Sequence, residues 1–485
     1  MKLNNKALSQ LDTAIARPSY ARNQRAQGIV HIGVGGFHRA HQAVYTERLL
    51  EAGHQGWEIC GVGLRHTDRV MREVLTRQDY LYTLMELDHQ KKTAVRIIGA
   101  IADFLFAPDD PEAVIQKLAS PEVRIVSLTI TESGYNTDDN TGEFNDQHPD
   151  IIHDWEHPQN PCTVFGYLTE ALSRRLAQGI KPFTVMSCDN LPHNGEVARQ
   201  ALVSFAKKRD PELARWITQA VSFPNSMVDR ITPMTAPTHS QWLREHYDLD
   251  DQWPVVCEPF MQWVLEDNFC NGRPAWEEVG VQFTPDVAPY ERMKIRLLNA
   301  SHSAMAYLGH LAGYQYTHEV MKNPDFVRLI RDFMDIDVTL TLGDIPGIDI
   351  EQYKQTLIER FSNEEMGDQL VRLCMDGSSK IPKFLLPTIH HLLQEKRPLE
   401  RVALIIASWM LYLSKEDITN IQDPAAEKLK NAINQHESLS LSLPMLDDIF
   451  GHTLVNSNSF ISAFEQALEQ LETQGVFTTL KTRAA

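Results

Sequence analysis

The sequence predicts an α/β fold in two parts: an N-terminal α/β domain over residues 1–288 and a mainly α-helical C-terminal domain over 289–485. Three observations carry this expectation. A short apolar run near the N-terminus ends in a glycine-rich turn and is followed by a helix-compatible stretch. Strand-like and helix-like runs then alternate up to about residue 288. Beyond Pro289 the strand signals fade, and long stretches with helical apolar spacing take over. At 485 residues the chain is too long for one ordinary domain.

Residues 1–27 are polar and read as a short helix and lead-in loop. The first strand is expected at 28–34 and the first helix at 38–52, around Gly28-Ile-Val-His-Ile-Gly33-Val-Gly35-Gly36-Phe37-His38-Arg39-Ala40-His41-Gln42. Strand, turn and helix together make a glycine loop meaningful. Gly33 permits a tight turn, and Gly35 lets a pyrophosphate approach the backbone near the start of the following helix. Ile32, Val34, Gly36 and Phe37 complete the expected cofactor loop of a Rossmann-type dinucleotide-binding domain. The third glycine of the usual fingerprint is replaced by His38, which implies looser helix–strand packing or another role for that side chain. Trp57 to Leu64 reads as a second strand, closed by Arg65-His-Thr-Asp68. Asp68 there favours NAD by accepting hydrogen bonds from a ribose, whereas Arg65 would face the 2′-phosphate of NADP. Thr93–Ile101 and Val123–Ile130 continue the strands. Thr131-Glu132-Ser-Gly134-Tyr lies just beyond a strand end, where α/β sheets build sites. Phe183 to Gly195 repeats that arrangement and offers Asn190. Asp189 and Asn194 there also suit turn or capping roles. Helices are expected over 292–311, 323–335, 351–373, 385–395, 401–414 and 425–436.

Lys294-Ile-Arg-Leu-Leu-Asn299-Ala-Ser-His302 places an amine, an amide and an imidazole within nine residues of an expected helix. At roughly 100° per residue, Glu291, Lys294, Asn299 and His302 fall within a sector of about 140°. An amine that loses its proton in a dry pocket is a general base. An amide N–H₂ beside it holds a developing alkoxide. Such a set oxidises an alcohol without a metal. The same pattern also fits a half-buried amphipathic helix with solvated polar residues.

A net charge of −18 argues against nucleic acid and anionic membranes as partners. The longest apolar run, Val402 to Leu413, is too short to span a bilayer and reads as a buried helix. No secretory signal opens the chain. The six cysteines, Cys60, Cys162, Cys188, Cys257, Cys270 and Cys374, form no Cys-x-x-Cys pair, and no His-Glu-x-x-His occurs. Neither a catalytic zinc site nor a disulfide framework is evident, so reduced thiols in a cytoplasm and no metal are expected. The acidic surface and the lack of an evident dimerisation segment favour a monomer.

The chain resembles the polyol-specific long-chain dehydrogenase/reductase family nearly end to end. The resemblance is carried by His31 to His41, Ile130-Thr-Glu-Ser-Gly-Tyr135, Val185-Met-Ser-Cys-Asp-Asn-Leu-Pro-His-Asn-Gly195, Phe223 to Pro233, Lys294…Asn299-x-Ser-His302 and Asp376-Gly-Ser-Ser-Lys380. Where the family usually has Asn-Gly-Ser-His, this chain has Ala300, a one-methyl change expected to leave the polar residues in place. The resemblance implies an NAD(P)-dependent, metal-independent oxidation of a secondary alcohol. It maps the lysine base onto Lys294, the oxyanion-holding asparagines onto Asn190 and Asn299, and the substrate-orienting histidine onto His302. Glu132, Asp229, Glu291, Arg372 and Lys380 match other polar residues of the family's site, for substrate binding or proton relay. Arg372 also suits a surface helix. The implied reaction interconverts D-mannitol and D-fructose at C2 with NAD. D-mannonate/D-fructuronate, D-arabinitol and D-sorbitol are the alternatives within the family, and a dinucleotide sensor without turnover is the alternative outside it.

Overall fold

Buried on both faces, a parallel strand needs apolar residues at nearly every position, and the short runs of this chain supply them. The computed structural model describes residues 1–22, 26–90, 92–137, 143–435 and 439–482. It divides into two compact units, Met1–Ala288 and Pro289–Ala485. The strands of the first unit are β1 (Ile29–Ile32), β2 (Ile59–Gly63), β3 (Tyr82–Leu87), β4 (Thr93–Ile98), β5 (Ile101–Phe106), β6 (Ile125–Leu128), β7 (Thr184–Ser187), β8 (Ser226–Asp229), β9 (Val255–Cys257), β10 (Gln262–Glu266) and β11 (Gln282–Thr284).

The main sheet is parallel throughout, in the order β5-β2-β1-β6-β7. Its strand order reverses between β1 and β6. That switch point is where an open α/β sheet leaves a crevice at its carboxyl ends. Alternation along β1 sends Val30 and Ile32 into a core with Phe165, Leu168 and Leu172 of the helix Val164–Ala177. Ile29 faces the opposite core with Val44 and Leu49 of the helix Gln42–Glu51. Two smaller sheets complete the unit, β4-β3-β9 and β11-β10-β8.

Two expectations are corrected here. The helix expected at 38–52 is two pieces, Gly36–Ala40 and Gln42–Glu51. His41 breaks it at φ −124°, ψ −91°, and its Nε2 pairs with the Gln262 carbonyl at 2.8 Å. The single strand expected at 93–101 is divided between sheets. β4 pairs antiparallel with β3, while Ile101 opens β5 of the parallel sheet. The division falls at Gly99, whose N–H donates to buried Glu47 (2.8 Å) and whose carbonyl accepts from Arg22 Nε (3.1 Å).

The second unit is helical. Glu400–Lys415 contains the run 402–413, buried at every position, and packs against Ala300–Leu311 and Asn458–Thr482. The helix expected at 351–373 ends at Phe361. Gly367, at φ +52°, turns the chain before Leu370–Cys374. Gly377–Phe384 and the stretch Asn458–Thr482, two helical pieces separated by a break at Gly475, fall outside the expected helices. Among the described residues no helix is long and apolar enough to cross a membrane.

Candidate active site

The glycine loop follows β1 directly. Ile32 is its last strand residue and is buried. Gly33 has φ +94°, and a Cβ there would lie 2.1 Å from the Thr129 carbonyl, so only glycine fits the turn. At Gly35 the space is open: a Cβ would meet only the Gly33 carbonyl, at 3.8 Å. A cavity of about 580 Å³ opens beside the loop, lined by Gly35, Gly36, Phe37, Thr232, Met234 and Trp253. Val34 and Phe37 are half-buried, and Phe37 stacks on His41.

His38, in place of the third glycine, lies flat on His31 of β1, with ring centroids 3.4 Å apart at 12°. The helix therefore packs on the strand through two imidazoles. Thr129 Oγ1 donates to the Gly33 carbonyl (2.7 Å), so it accepts from His31 Nε2–H (2.9 Å), and His31 Nδ1 accepts from Ser127 Oγ (2.8 Å). Burial lowers His31 to about 3, and burial followed by the neighbouring His31 holds His38 well below the usual histidine range. Burial thus favours the neutral form of both stacked rings.

At the end of β2, Asp68 Oδ2 accepts the Arg65 N–H at 3.0 Å. The Asp68 side chain is packed so closely to the strand end that a Cβ on Gly63 would lie 2.7 Å from Asp68 Cβ. The Arg65 side chain is 76 % exposed, against 22 % for Asp68, and its Nε lies 3.9 Å from Asp68 Oδ1.

Beyond β6, Thr131 sits at φ +64°, ψ +166°, a strained conformation for a β-branched residue. Asp189 holds it there. Its carboxylate accepts the N–H of Thr131 (2.8 Å), the N–H of Ile130 (3.1 Å) and the hydroxyl of buried Tyr135 (2.6 Å). Burial raises the pKa of Asp189, and these donors oppose the rise. The clamp fixes Glu132, next to Thr131, relative to Asn190, next to Asp189. Both are exposed beyond the ends of β6 and β7. Asn194 is structural as well: its Nδ2 donates to the carbonyls of Asp189 (3.0 Å) and Ser226 (2.8 Å). This ties the β7 loop to the start of β8, whose last residue is the buried Asp229.

In the second unit, Ala288–Met293 runs into a π-helical turn, Lys294–Asn299, before Ala300–Leu311 resumes α geometry. The Ala300 N–H donates to the Ile295 carbonyl, five residues back. One π turn accommodates one extra residue, so Lys294 and Asn299 stand one turn apart, as an i, i+4 pair would in an α-helix. The sector that holds Glu291, Lys294, Asn299 and His302 narrows from the expected 140° or so to roughly 80°. Lys294 and Glu291 are buried, and Asn299 and His302 are half-buried. The His302 ring lies 4.8 Å from Phe361. Arg292 and Arg296 pin the turn by donating to the carbonyls of Leu342 (3.0 Å) and Thr341 (2.8 Å).

The helices bearing Arg372 and Lys380 pack on this segment. Lys380 Nζ donates to the Leu373 carbonyl at 3.4 Å, and burial lowers its pKa. Arg372 is 59 % exposed and engages Asp368, with Nε 2.9 Å from Oδ1. Asp368 itself is buried just before that helix, so Arg372 is held by a carboxylate at the edge of the core while its own side chain stays exposed.

Sequence reasoning missed the Asp189 clamp and the strain at Thr131, since neither has a local signature. Its reading that the chain has no His-x-x-x-His pair is corrected by His153-Asp-Trp-Glu-His157, two histidines four residues apart. With Cys162 it forms the group His153, Asp154 and Cys162, whose ligand atoms lie within 4.8 Å of one another.

The family models for the mannitol dehydrogenase Rossmann domain and the mannitol dehydrogenase C-terminal domain match residues 27–278 and 286–472. A mannitol 2-dehydrogenase of Phaeosphaeria nodorum is 47 % identical over 99 % of this chain and 85 % of its own. One of Aspergillus oryzae is 45 % identical over 99 % and 98 %. Among solved structures, the Pseudomonas fluorescens mannitol 2-dehydrogenase in ternary complex with NAD and D-mannitol is 54 % identical, covering 100 % of this chain and 99 % of that one, with a TM-score of 0.88. A substrate-free D-sorbitol dehydrogenase is 39 % identical, covering 99 % and 100 %, with a TM-score of 0.91. With both family models matched and these likenesses running end to end, the chain belongs to the mannitol dehydrogenase family.

Proposed function

We propose that this chain is an NAD-dependent oxidoreductase that interconverts D-mannitol and D-fructose at C2. The observation that carries the reading is its 54 % identity, over its whole length, to an enzyme solved with both NAD and D-mannitol. The first unit fits a dinucleotide. Gly33 makes the turn, Gly35 leaves the backbone open, and the loop follows the strand beside the switch point. Asp68, closely packed at the end of β2, suits a ribose and repels a 2′-phosphate, and the exposed Arg65 lies beside it with Nε 3.9 Å from Oδ1. NAD is thus preferred to NADP.

When bound, NAD supplies the hydride acceptor. Lys294, as the free amine, takes the proton from the C2 hydroxyl. Asn190 and Asn299 donate hydrogen bonds to that oxygen as negative charge builds, and His302 orients the polyol. Glu291 and Glu132 pass the proton towards solvent, and Asp229 and Lys380 hold substrate hydroxyls. Arg372 has the weakest claim, being engaged with Asp368. A lysine base removes the need for a metal in the reaction. The protein acts as a monomer in the cytoplasm.

The test is NADH formation from a panel of D-mannitol, D-arabinitol, D-sorbitol and D-mannonate. D-mannitol should give the highest kcat/KM. A higher value for D-sorbitol would favour the second solved relative as the guide to substrate. No turnover with any of them would leave a dinucleotide sensor.

A further inference from the structure

We propose that His153, Asp154 and Cys162 form a binding site for a soft divalent cation such as Zn²⁺, apart from the residues assigned to the reaction. The three come from the helix Pro149–Glu156 and the loop that leads into Val164–Ala177. Their ligand atoms make a small triangle: Cys162 Sγ to His153 Nδ1 is 3.7 Å, Sγ to Asp154 Oδ1 is 3.2 Å, and Nδ1 to Oδ1 is 3.1 Å. A circle through these atoms has a radius of about 1.9 Å, so one ion just outside their plane reaches all three at about 2.0–2.3 Å, the lengths of Zn–N, Zn–O and Zn–S bonds. One thiolate, one imidazole and one carboxylate are a donor set that zinc accepts.

The carboxylate is preorganised. Asp154 is buried, and Oδ2 accepts the Thr163 N–H (2.8 Å) and Thr163 Oγ1–H (2.6 Å), while Oδ1 accepts the Cys162 N–H (2.7 Å). A Cβ on Gly166 would lie 2.2 Å from Oδ2, so the next helix closes over that side. Such outer hydrogen bonds hold ligating carboxylates in place. The other two contacts to Oδ1, from Cys162 Sγ and His153 Nδ1, are the ones an ion replaces. Binding releases the thiol proton, and the imidazole proton moves from Nδ1 to Nε2. Access is open: Cys162 is exposed, and the His153 side chain is 40 % exposed. Water completes the coordination, and the His157 ring lies 4.9 Å from that of His153 at the edge of the site. A bound ion staples the 157–163 loop to the preceding helix.

The test uses the full-length chain freed of metal with a chelator, and Cd²⁺ alone as the probe. The expected result is a thiolate-to-Cd²⁺ charge-transfer band that saturates at one equivalent and is displaced by Zn²⁺. Zn²⁺ should also slow iodoacetamide labelling of Cys162 by about tenfold or more. Cys162→Ser should remove the band, and His153→Gln should weaken binding at least about tenfold. Thermal unfolding of both variants checks that they fold. Cd²⁺ binding unchanged in folded His153→Gln would mean a lone thiol and overturn the site. So would the absence of a saturable band in the wild-type chain.

Discussion

At the scale of single residues, Lys294 and Asp189 carry the most specific expectations. Lys294→Ala should lower kcat by roughly 10²–10⁴-fold, with NAD affinity nearly unchanged in a fluorescence titration. The free amine serves alcohol oxidation and the ammonium serves ketone reduction. Raising the pH should therefore increase kcat/KM for mannitol to a plateau and decrease it for fructose. Both limbs should flatten in Lys294→Ala, and a variant that keeps the limbs would move the base elsewhere. Asp189 touches no reacting atom in this scheme; it positions the residues that do. Asp189→Ala removes the acceptor of two part-buried N–H groups and leaves the buried Tyr135 hydroxyl with Ser187 Oγ alone, at about 1 kcal/mol for each lost bond. Thr131 then relaxes from its strained conformation. The expected outcome is a lower melting temperature together with at least about a tenfold fall in kcat and little change in KM. Asp189→Asn, which keeps an acceptor, should recover part of both. A lower melting temperature with kcat intact would leave Asp189 a purely structural clamp.

Among the elements, the π turn at Lys294–Asn299 matters most. It brings Asn299, five residues on, onto the face that bears Lys294. Deleting Ile295, which is only half-buried, should regularise the segment to α geometry and keep Lys294 and Asn299 one turn apart. Activity should stay within about tenfold of wild type. Inserting one alanine after Ile295 should instead rotate Asn299 by about 100° and cost about 10²-fold or more in kcat. Comparing the two variants by steady-state kinetics separates register from general damage, and equal losses would show that the turn has no special role. The glycine-loop helix illustrates a related point. Its contact with β1 runs through the His31–His38 stack rather than through a third glycine, so a departure from the usual fingerprint still yields close packing.

For the whole molecule, the test concerns one residue in each unit, Asn190 in the first and Asn299 in the second. Each Ala variant should lower kcat roughly 10²–10³-fold and raise KM less. The double variant should fall short of additivity if both hold one oxygen. Full additivity, or an effect on KM alone, would separate their roles. Prolonged EDTA should leave NADH formation from mannitol unaltered even if it strips an ion from His153, Asp154 and Cys162. Loss of activity that Zn²⁺ restores would put a metal into the reaction.

The sequence by itself determined the α/β class, the glycine turn at Gly33, the parallel strands around it, the buried helix over 402–413 and the family. Each of these is written in local spacing or in motifs a few residues long. The positions of Asn190 and Glu132 beyond the ends of β7 and β6 were legible for the same reason, since each follows a short apolar run. Tertiary structure alone decided that 93–106 belongs to two sheets, that Asp189 rather than a local turn holds Thr131, that exposed Arg372 pairs with buried Asp368, and that Cys162 meets His153. The Asp189–Thr131 bond joins residues 58 apart, and the helix turn at 294–299 departs from the period that a helical wheel assumes. Such features depend on which distant backbone groups need a partner once the chain is packed, and local periodicity carries no record of that need.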